Sequence, residues 1–440
     1  MPNVLVLGSG MVSRPLVQHL LAQPNYRVTV GDMDQARTER VVAGHPNGRA
    51  IQLNAQDLEA VGHEVEKADV VVSILPVPFH PSIAELCVEK SRHFVSASYG
   101  KSMAKLDEQA RAKGLILLNE MGLDPGIDHL SAMQIIDRAH SMGGKVRSFT
   151  SYCGGLPAPE ANTNLFGYKF SWAPRGVLSA TGNNATFLNN GQIQTILNAQ
   201  LFQRLIADTF EGIGTLEGYP NRDSLEFIKD YGIEGETLTM IRGTYRYPGW
   251  CQFWDKVSSL NMLSDTPLRR HPATAMEFTQ QLIGRTFLSR SGSALAQIIG
   301  VAQDSDIMRM VQWLGLFSDE QIPESLNTRI DILAHLALKR MQYAPGERDM
   351  SVLHHVFEVE FPDRRRRITS TLIEYGIPYG DSSMARTVGL NAAIGAKLIL
   401  EGKVNGRGVI RPTTPDIYEP ALAELDSLGI RMIETEQDID

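Results

Sequence analysis

VLVLGSGMVSRPLVQHLLAQPNYRVTVGD, residues 4–32, decides the fold. Residues 4–7 are aliphatic and few enough for a strand buried on both faces. Gly8 and Gly10 follow, and residues 12–21 have helical spacing, with Val12, Leu16, Leu20 and Leu21 on one side. A second apolar strand, 27–30, leads to Asp32. Strand, glycine turn, helix, strand and acid is the order that a dinucleotide-binding fold requires. Gly8 permits the tight turn, and Gly10 lets backbone N–H groups approach a pyrophosphate at the positive end of the helix. Asp32 stands about twenty residues past the glycines, where a carboxylate accepts hydrogen bonds from the ribose hydroxyls of NAD. Ser13 holds the third glycine position; it is small enough for close helix–strand packing. The plainer alternative is an ordinary strand–helix turn.

Outward from this stretch, the first 120 residues alternate strand and helix. Strands are expected at 4–7, 28–30, 50–53, 70–75, 93–96 and 115–118, and the clearest further helices at 82–90 and 105–113. Such alternation implies right-handed crossovers and a doubly wound parallel sheet, a Rossmann domain that binds ligands at the carboxyl ends of its strands. Those ends carry Gly8, Gly10 and Ser13, then Asp32, Asn54, the run 76–80, Ser98 and Tyr99, and the run 120–124.

The chain has 440 residues, 43% hydrophobic and 21% charged, enough for two or three cores. A net charge of −8 argues against nucleic-acid binding. No apolar run is long enough to span a bilayer, and the start lacks a secretory pattern. Cys87, Cys153 and Cys251 are too scattered for a disulfide framework or a zinc site. The expectation is a cytoplasmic protein with reduced thiols and no metal.

Beyond Asp124 the pattern changes to a helix at 127–140, a strand at 145–153 and turn signals at 154–155, 182–184 and 189–191. Helix formers dominate about 253–341, an expected helical insertion; 349–360 and 367–375 alternate as strands. Arg364–Arg367 reads as a solvated hairpin tip rather than a binding patch. A long apolar helix at 382–400, a strand at 408–410, a helix at 420–428 and a strand at 430–433 end the chain and return it to the first domain. The expected domains are 1–124 with 385–440, and 125–384.

Three segments carry unusual polar content. In NEMGLDPGIDH, residues 119–129, Asp124 is either a cleft-facing acid or the N-cap of the following helix. Asp128 and His129 lack the partner spacing of a metal site. In SYCGGLPAPE, residues 151–160, Cys153 is either an active-site thiol beside an approachable backbone or a buried structural cysteine. In YPNRD and IRGTYRY, residues 219–223 and 241–247, Arg222, Arg242 and Arg246 stand among aromatic and turn residues. Arginine forks match carboxylates, so they suit a substrate with several of them; surface ion pairing is the alternative.

GSGMVSRP, ILPVPFH, NEMGLDPGIDHL, SYCGGLPAPE, GYKFSW, RGVL, YPNRDS, RGTYRY, WLGLFSD and GERDM together resemble the saccharopine reductase family, the glutamate-forming saccharopine dehydrogenases, over essentially the whole chain. The resemblance implies an α/β fold: a Rossmann domain completed by the C-terminal segment, and a second, mixed-sheet α/β domain for substrate binding and dimer contact with a helical insertion. It implies NAD(P)-linked, reversible oxidation of the secondary amine saccharopine to glutamate and 2-aminoadipate 6-semialdehyde by a homodimer. Around substrate it implies Ser98, Tyr99, Asp124, Cys153, Gly154, Arg222, Thr244 and Arg246. Around the cofactor it implies Gly10, Met11, Val12, Asn54, Ala55, Ile74 and Leu123, beside Gly8 and Asp32 from the local motif. Asp124, with Cys153 and Tyr99, is the expected catalytic set. Where fungal members have a Cys-Arg-Thr run suited to a 2′-phosphate, this chain has Gly31-Asp32-Met33, so NAD is the expected preference, with NADP possible. Ala173-Pro174 replaces serines of the family. The competing readings are a carboxynorspermidine- or carboxyspermidine-type reductase, which would need acids rather than arginines to hold a polyamine, and a nucleotide-sensing protein without turnover.

Overall fold

A computed structural model describes residues 1–284 and 292–440. The chain forms two compact units: residues 1–151, 228–237 and 350–440 make the first, and 152–227 with 238–349 the second.

The first unit starts with strands β1 (Asn3–Leu7), β2 (Arg27–Asp32), β3 (Gly48–Gln52), β4 (Val70–Ser73), β5 (His93–Ser96) and β6 (Ile116–Leu118). Between them run α1 (Ser13–Leu21), α2 (Gln35–Val42), α3 (Leu58–Glu66), α4 (His80–Glu89) and α5 (Asp107–Ala112), with α6 (Ile127–Ser141) after them. All the pairings are parallel; β1 runs beside β2 from Asn3↔Arg27 to Leu7↔Gly31 and beside β4 from Val4↔Val70 to Leu7↔Ser73. Every residue of β4, VVVS, is buried, as a strand covered by helices on both faces must be. Helix α2 begins where the Asp34 side chain accepts the Arg37 N–H.

Strand β7 (Lys145–Pro157) carries the chain into the second unit after Ser151. The turn expected at 154–155 is instead the interior of this strand: a side chain on Gly154 would lie 2.9 Å from the Tyr245 carbonyl oxygen, so glycine serves close strand approach. Then follow α7 (Pro174–Thr181), β8 (Ala185–Asn189), β9 (Gln192–Ile196), β10 (Ile206–Phe210), β11 (Gly214–Pro220), β12 (Arg222–Asp223), α8 (Glu226–Asp230) and β13 (Thr239–Arg246). Strands β10, β11 and β13 form an antiparallel ladder in which Glu217 opposes Arg246 and Tyr219 opposes Thr244; β12 joins β8 in parallel, giving a mixed sheet. The expected insertion is helical: α9 (Trp250–Val257), α10 (Ala275–Leu282), α11 (Ser293–Ile299), α12 (Asp306–Trp313) and α13 (Arg329–Leu338). Thr274, Ser305 and Thr328 cap α10, α12 and α13. Residues 285–291 of that stretch lie outside the described residues.

The chain re-enters the first unit with the hairpin β14 (Asp349–Glu360) and β15 (Arg365–Tyr375), then α14 (Ser383–Leu400), β16 (Gly408–Ile410), α15 (Pro415–Ser427) and β17 (Ile433–Ile439). Strand β16 pairs with β6, so among the described residues the parallel sheet has seven strands in the order β16-β6-β5-β4-β1-β2-β3. Helix α14 lies against α1 so closely that a side chain on Gly389 would stand 2.5 Å from the Val12 carbonyl oxygen. Arg366, expected at a solvated tip, lies on β15 and pairs with Glu436 and Asp438 of β17. The units divide the chain at places other than the expected 124 and 385. Helix α6 packs against α15, and Phe149 of β7 stacks on Phe357 of β14 at 4.2 Å, which ties 125–151 and 350–384 to the first unit.

Candidate functional site

The glycine turn is built from backbone. Gly8 has φ +106, which excludes an L side chain, and one there would meet the Ile74 carbonyl oxygen at 3.2 Å. Gly10 has open space where a side chain would stand. Ser13 donates both its N–H and its hydroxyl to the Gly10 carbonyl, which closes the turn onto α1. At the end of β2, Asp32 Oδ2 accepts the Ser9 N–H at 2.7 Å and Oδ1 the Asp34 N–H at 3.0 Å. Burial opposes ionisation of Asp32, but the hydrogen bonds from Asp34 and Ser9 and the charge of Arg37 hold its carboxyl below the ordinary value. A dinucleotide fits these residues: the glycines leave room for a pyrophosphate at the start of α1, and an ionised acid closes the second strand. Met11 is exposed, Val12 and Ile74 half-buried, Asn54 and Ala55 follow β3, and Leu123 is buried.

At the ends of β4, β5 and β6 the first unit gathers a polar chain. His80 Nδ1 lies 3.0 Å from Ser73 Oγ, and Nε2 lies 3.0 Å from Ser98 Oγ. Ser96 donates its hydroxyl to Asn119 Oδ1 at 3.0 Å. Burial pushes the His80 imidazole down to about 4, so it is neutral at physiological pH. Glu120 follows, at φ +62 and fully buried. Its carboxylate meets His129 Nε2 at 2.8 Å, Arg411 Nε at 2.7 Å and the Gly100 N–H at 3.1 Å. Burial opposes its charge, yet the hydrogen bond and charge of His129, then Arg411, bring the carboxyl down to about 2. His129 Nδ1 reaches the Tyr231 hydroxyl at 2.7 Å, and Arg411 also pairs with Asp230.

Asp124 is half-buried and does not cap α6: Gly126 occupies the cap position, and its N–H goes to Asp128 Oδ1. The Asp124 loop is held from α14, where Asn391 Nδ2 donates to the Gly122 carbonyl at 2.7 Å. Tyr99 is half-buried beside Ser98. Among the described residues no group of His, Cys, Asp and Glu is arranged to hold a metal ion.

In the second unit, antiparallel register places Arg242, Thr244 and Arg246 of β13 on one sheet face with Glu217 and Tyr219 of β11. On the other face the Tyr152 ring covers Gly243, so alternation along β7 turns Cys153 away from Tyr152. Cys153 is buried, Thr244 half-buried, and Arg222 exposed on β12 at φ +56. Arg246 is 5% exposed, with its guanidinium 5.0 Å from the Tyr168 ring and 5.3 Å from the Trp250 ring. Its Nη1 donates to the Tyr245 carbonyl, and among the described residues its Nε has no partner and no carboxylate pairs with it.

The structure thus gathers Gly8, Gly10 and Asp32 in one place and Thr244 with Arg246 in another. It adds His80, Glu120, His129, Tyr231 and Arg411 to the polar groups at the strand ends. Local sequence hinted at the first three. Tyr231 and Arg411 lie 102 and 291 residues from their partners, beyond any local pattern.

Known proteins resemble the chain over nearly its whole length. The family model for the saccharopine dehydrogenase NADP binding domain matches residues 4–118, and that for the saccharopine dehydrogenase C-terminal domain matches residues 122–430. The chain is 38% identical, over 98% of both sequences, to saccharopine dehydrogenase [NADP(+), L-glutamate-forming] of Saccharomyces cerevisiae. It is 35% identical to the protein of that name from Schizosaccharomyces pombe, over 99% of both. It matches the mitochondrial alpha-aminoadipic semialdehyde synthase of Mus musculus at 35% identity, over 97% of this chain and 47% of the mouse protein. The apo saccharopine dehydrogenase (L-Glu forming) structure from Saccharomyces cerevisiae superposes with TM-score 0.87 at 37% identity, covering 99% of this chain and 100% of that one.

Proposed function

The chain belongs to the saccharopine dehydrogenase family, and from that membership we propose that it interconverts saccharopine with L-glutamate and 2-aminoadipate 6-semialdehyde using a nicotinamide dinucleotide. The observation that carries this reading is Arg246. A guanidinium that is 5% exposed and has no carboxylate partner among the described residues is costly to bury, and a substrate with three carboxylates supplies the counter-charge. A polyamine does not.

The bound nicotinamide supplies hydride acceptance and donation. Every other task falls to the chain. The Gly8–Gly10 turn and the start of α1 hold the pyrophosphate, and Asp32 receives the ribose hydroxyls. Its ionised carboxylate repels a 2′-phosphate, which favours NAD(H), although the fungal relatives are named for NADP(+). Met11, Val12, Asn54, Ala55, Ile74 and Leu123 are the remaining cofactor-side residues. Arg246 and Arg222 bind substrate carboxylates, with Thr244, Gly154, Ser98 and Tyr99 as further substrate contacts. Asp124 takes the proton from the secondary amine as the adjacent carbon is oxidised, and returns it to nitrogen when the imine is reduced in the opposite direction. Cys153 is a further substrate-side residue. Hydrolysis of the imine then separates glutamate from the semialdehyde. The working form is a cytoplasmic homodimer.

Reductive assays with glutamate and 2-aminoadipate 6-semialdehyde, run in parallel with NADH and NADPH, test both levels of this reading. Saccharopine formation is expected with either cofactor, with the higher kcat/KM for NADH. No saccharopine with either one removes the reaction, and an advantage for NADPH removes only the cofactor preference.

A further inference from the structure

We propose that His80 is the positioning residue for Ser98: it fixes the serine hydroxyl in one orientation toward the substrate. The inference rests on the proposed function, which makes Ser98 a substrate contact, and names a residue that acts through it.

A serine hydroxyl turns freely about its Cβ–Oγ bond and by itself presents no fixed direction. Ser98 is denied that freedom. His80 Nε2 lies 3.0 Å from its Oγ, while Nδ1 lies 3.0 Å from Ser73 Oγ at the end of β4, so the ring is anchored on both sides. The ring is 2% exposed and meets Phe94 edge-on at 6.4 Å. A neutral imidazole has one donor and one acceptor nitrogen, so the run Ser73–His80–Ser98 carries one consistent direction of donation. The Ser98 backbone is fixed as well: its carbonyl accepts the Glu120 N–H at 3.1 Å, and its N–H faces Ser96 Oγ at 3.4 Å. Ser98 itself is half-buried, so the Oγ capacity that His80 does not use remains open to a ligand. His80 enters α4 directly from the 3-10 turn Val77–Phe79, which brings the imidazole to the strand ends.

The two amide side chains separate the ring's two bonds. Gln places its amide nitrogen where Nε2 stands, and Asn places its own where Nδ1 stands. His80→Gln keeps the bond to Ser98, whereas His80→Asn keeps only the bond to Ser73. With saccharopine and the preferred dinucleotide, His80→Asn is expected to raise KM roughly 5- to 10-fold, the worth of about one hydrogen bond, with kcat within about 2-fold. His80→Gln is expected to stay within about 2-fold of the parent in both. In a Ser98→Ala background the two variants should become indistinguishable, because nothing remains for His80 to position. Thermal midpoints and dinucleotide affinity, read by cofactor fluorescence, identify variants that have lost the fold. If His80→Asn does not fold, Ser73→Ala replaces it: freeing the far side of the ring should raise KM in the parent and not in Ser98→Ala. Equal KM for the Asn and Gln variants, or effects that add fully to Ser98→Ala, overturns the inference while leaving the reaction intact. Absence of turnover in the parent protein removes the proposed function, and this inference falls with it.

Discussion

Glu120 in the first unit and Arg246 in the second are both buried ionic groups, and their surroundings are opposite. Glu120 is answered inside the fold by His129, Arg411 and the Gly100 N–H. Arg246 has its faces covered by Tyr168 and Trp250, one N–H bonded to its own strand, and no anion among the described residues. The difference separates scaffold from site. A buried charge whose partners are built in braces the chain, here the segment that bears Ser98 and Tyr99. A buried charge left without its partner is tolerated where a ligand brings one.

The comparison breaks most visibly at Glu120. Glu120→Ala leaves the buried His129 facing a void without its anion and Arg411 with Asp230 alone. It should lower unfolding stability by about 3–5 kcal/mol in urea titrations. A change under about 1 kcal/mol would make the network incidental.

Acid sharpens the same point. The Glu120 carboxyl is depressed to about 2 from 4.5, so its contribution is fully present above the unfolded value and is lost as pH falls through that window. The shift corresponds to about 3 kcal/mol. Stability measured from pH 5 down to 3 should fall more steeply for the parent than for Glu120→Gln, and parallel curves would refute it.

The smallest effect is expected at Arg246, and only when ligand is present. Arg246→Met removes a charge that no carboxylate among the described residues pairs with, so the free protein should change by less than about 1 kcal/mol. The KM for saccharopine should rise ~30-fold, the worth of about 2 kcal/mol in a charged hydrogen bond. Loss of stability with unchanged KM would place Arg246 with Glu120, as scaffold.

How far the sequence reached differs between the two regions. The glycine turn and Asp32 are held by contacts that are local or between neighbouring strands, and residue types alone imply the geometry: a glycine at positive φ, a small Ser13, an acid at a strand end. Strand ends were legible as places, and Ser98, Glu120 and Asp124 lay in them, but their partners were not. Asp124 before proline had the pattern of a helix cap, and Gly126 took that position because the chain turns at Gly122–Gly126 before α6 begins. Gly154–Gly155 had the pattern of a turn, and the approach of Tyr245 made it strand. In the first case one local turn displaced another, and in the second a non-local contact outweighed the local preference.

By itself the sequence determined the parallel sheet, the dinucleotide turn, the acid that ends the second strand, and, through its motifs, the family. Tertiary structure alone decided that Arg246 is buried without an anion among the described residues, that His80 faces Ser98, and that Tyr231 and Arg411 complete the Glu120 network. The physical reason is range. Backbone conformation and hydrophobic periodicity are set within a few residues of the chain, whereas the partner of a buried charge is chosen by packing between segments that sequence leaves hundreds of residues apart.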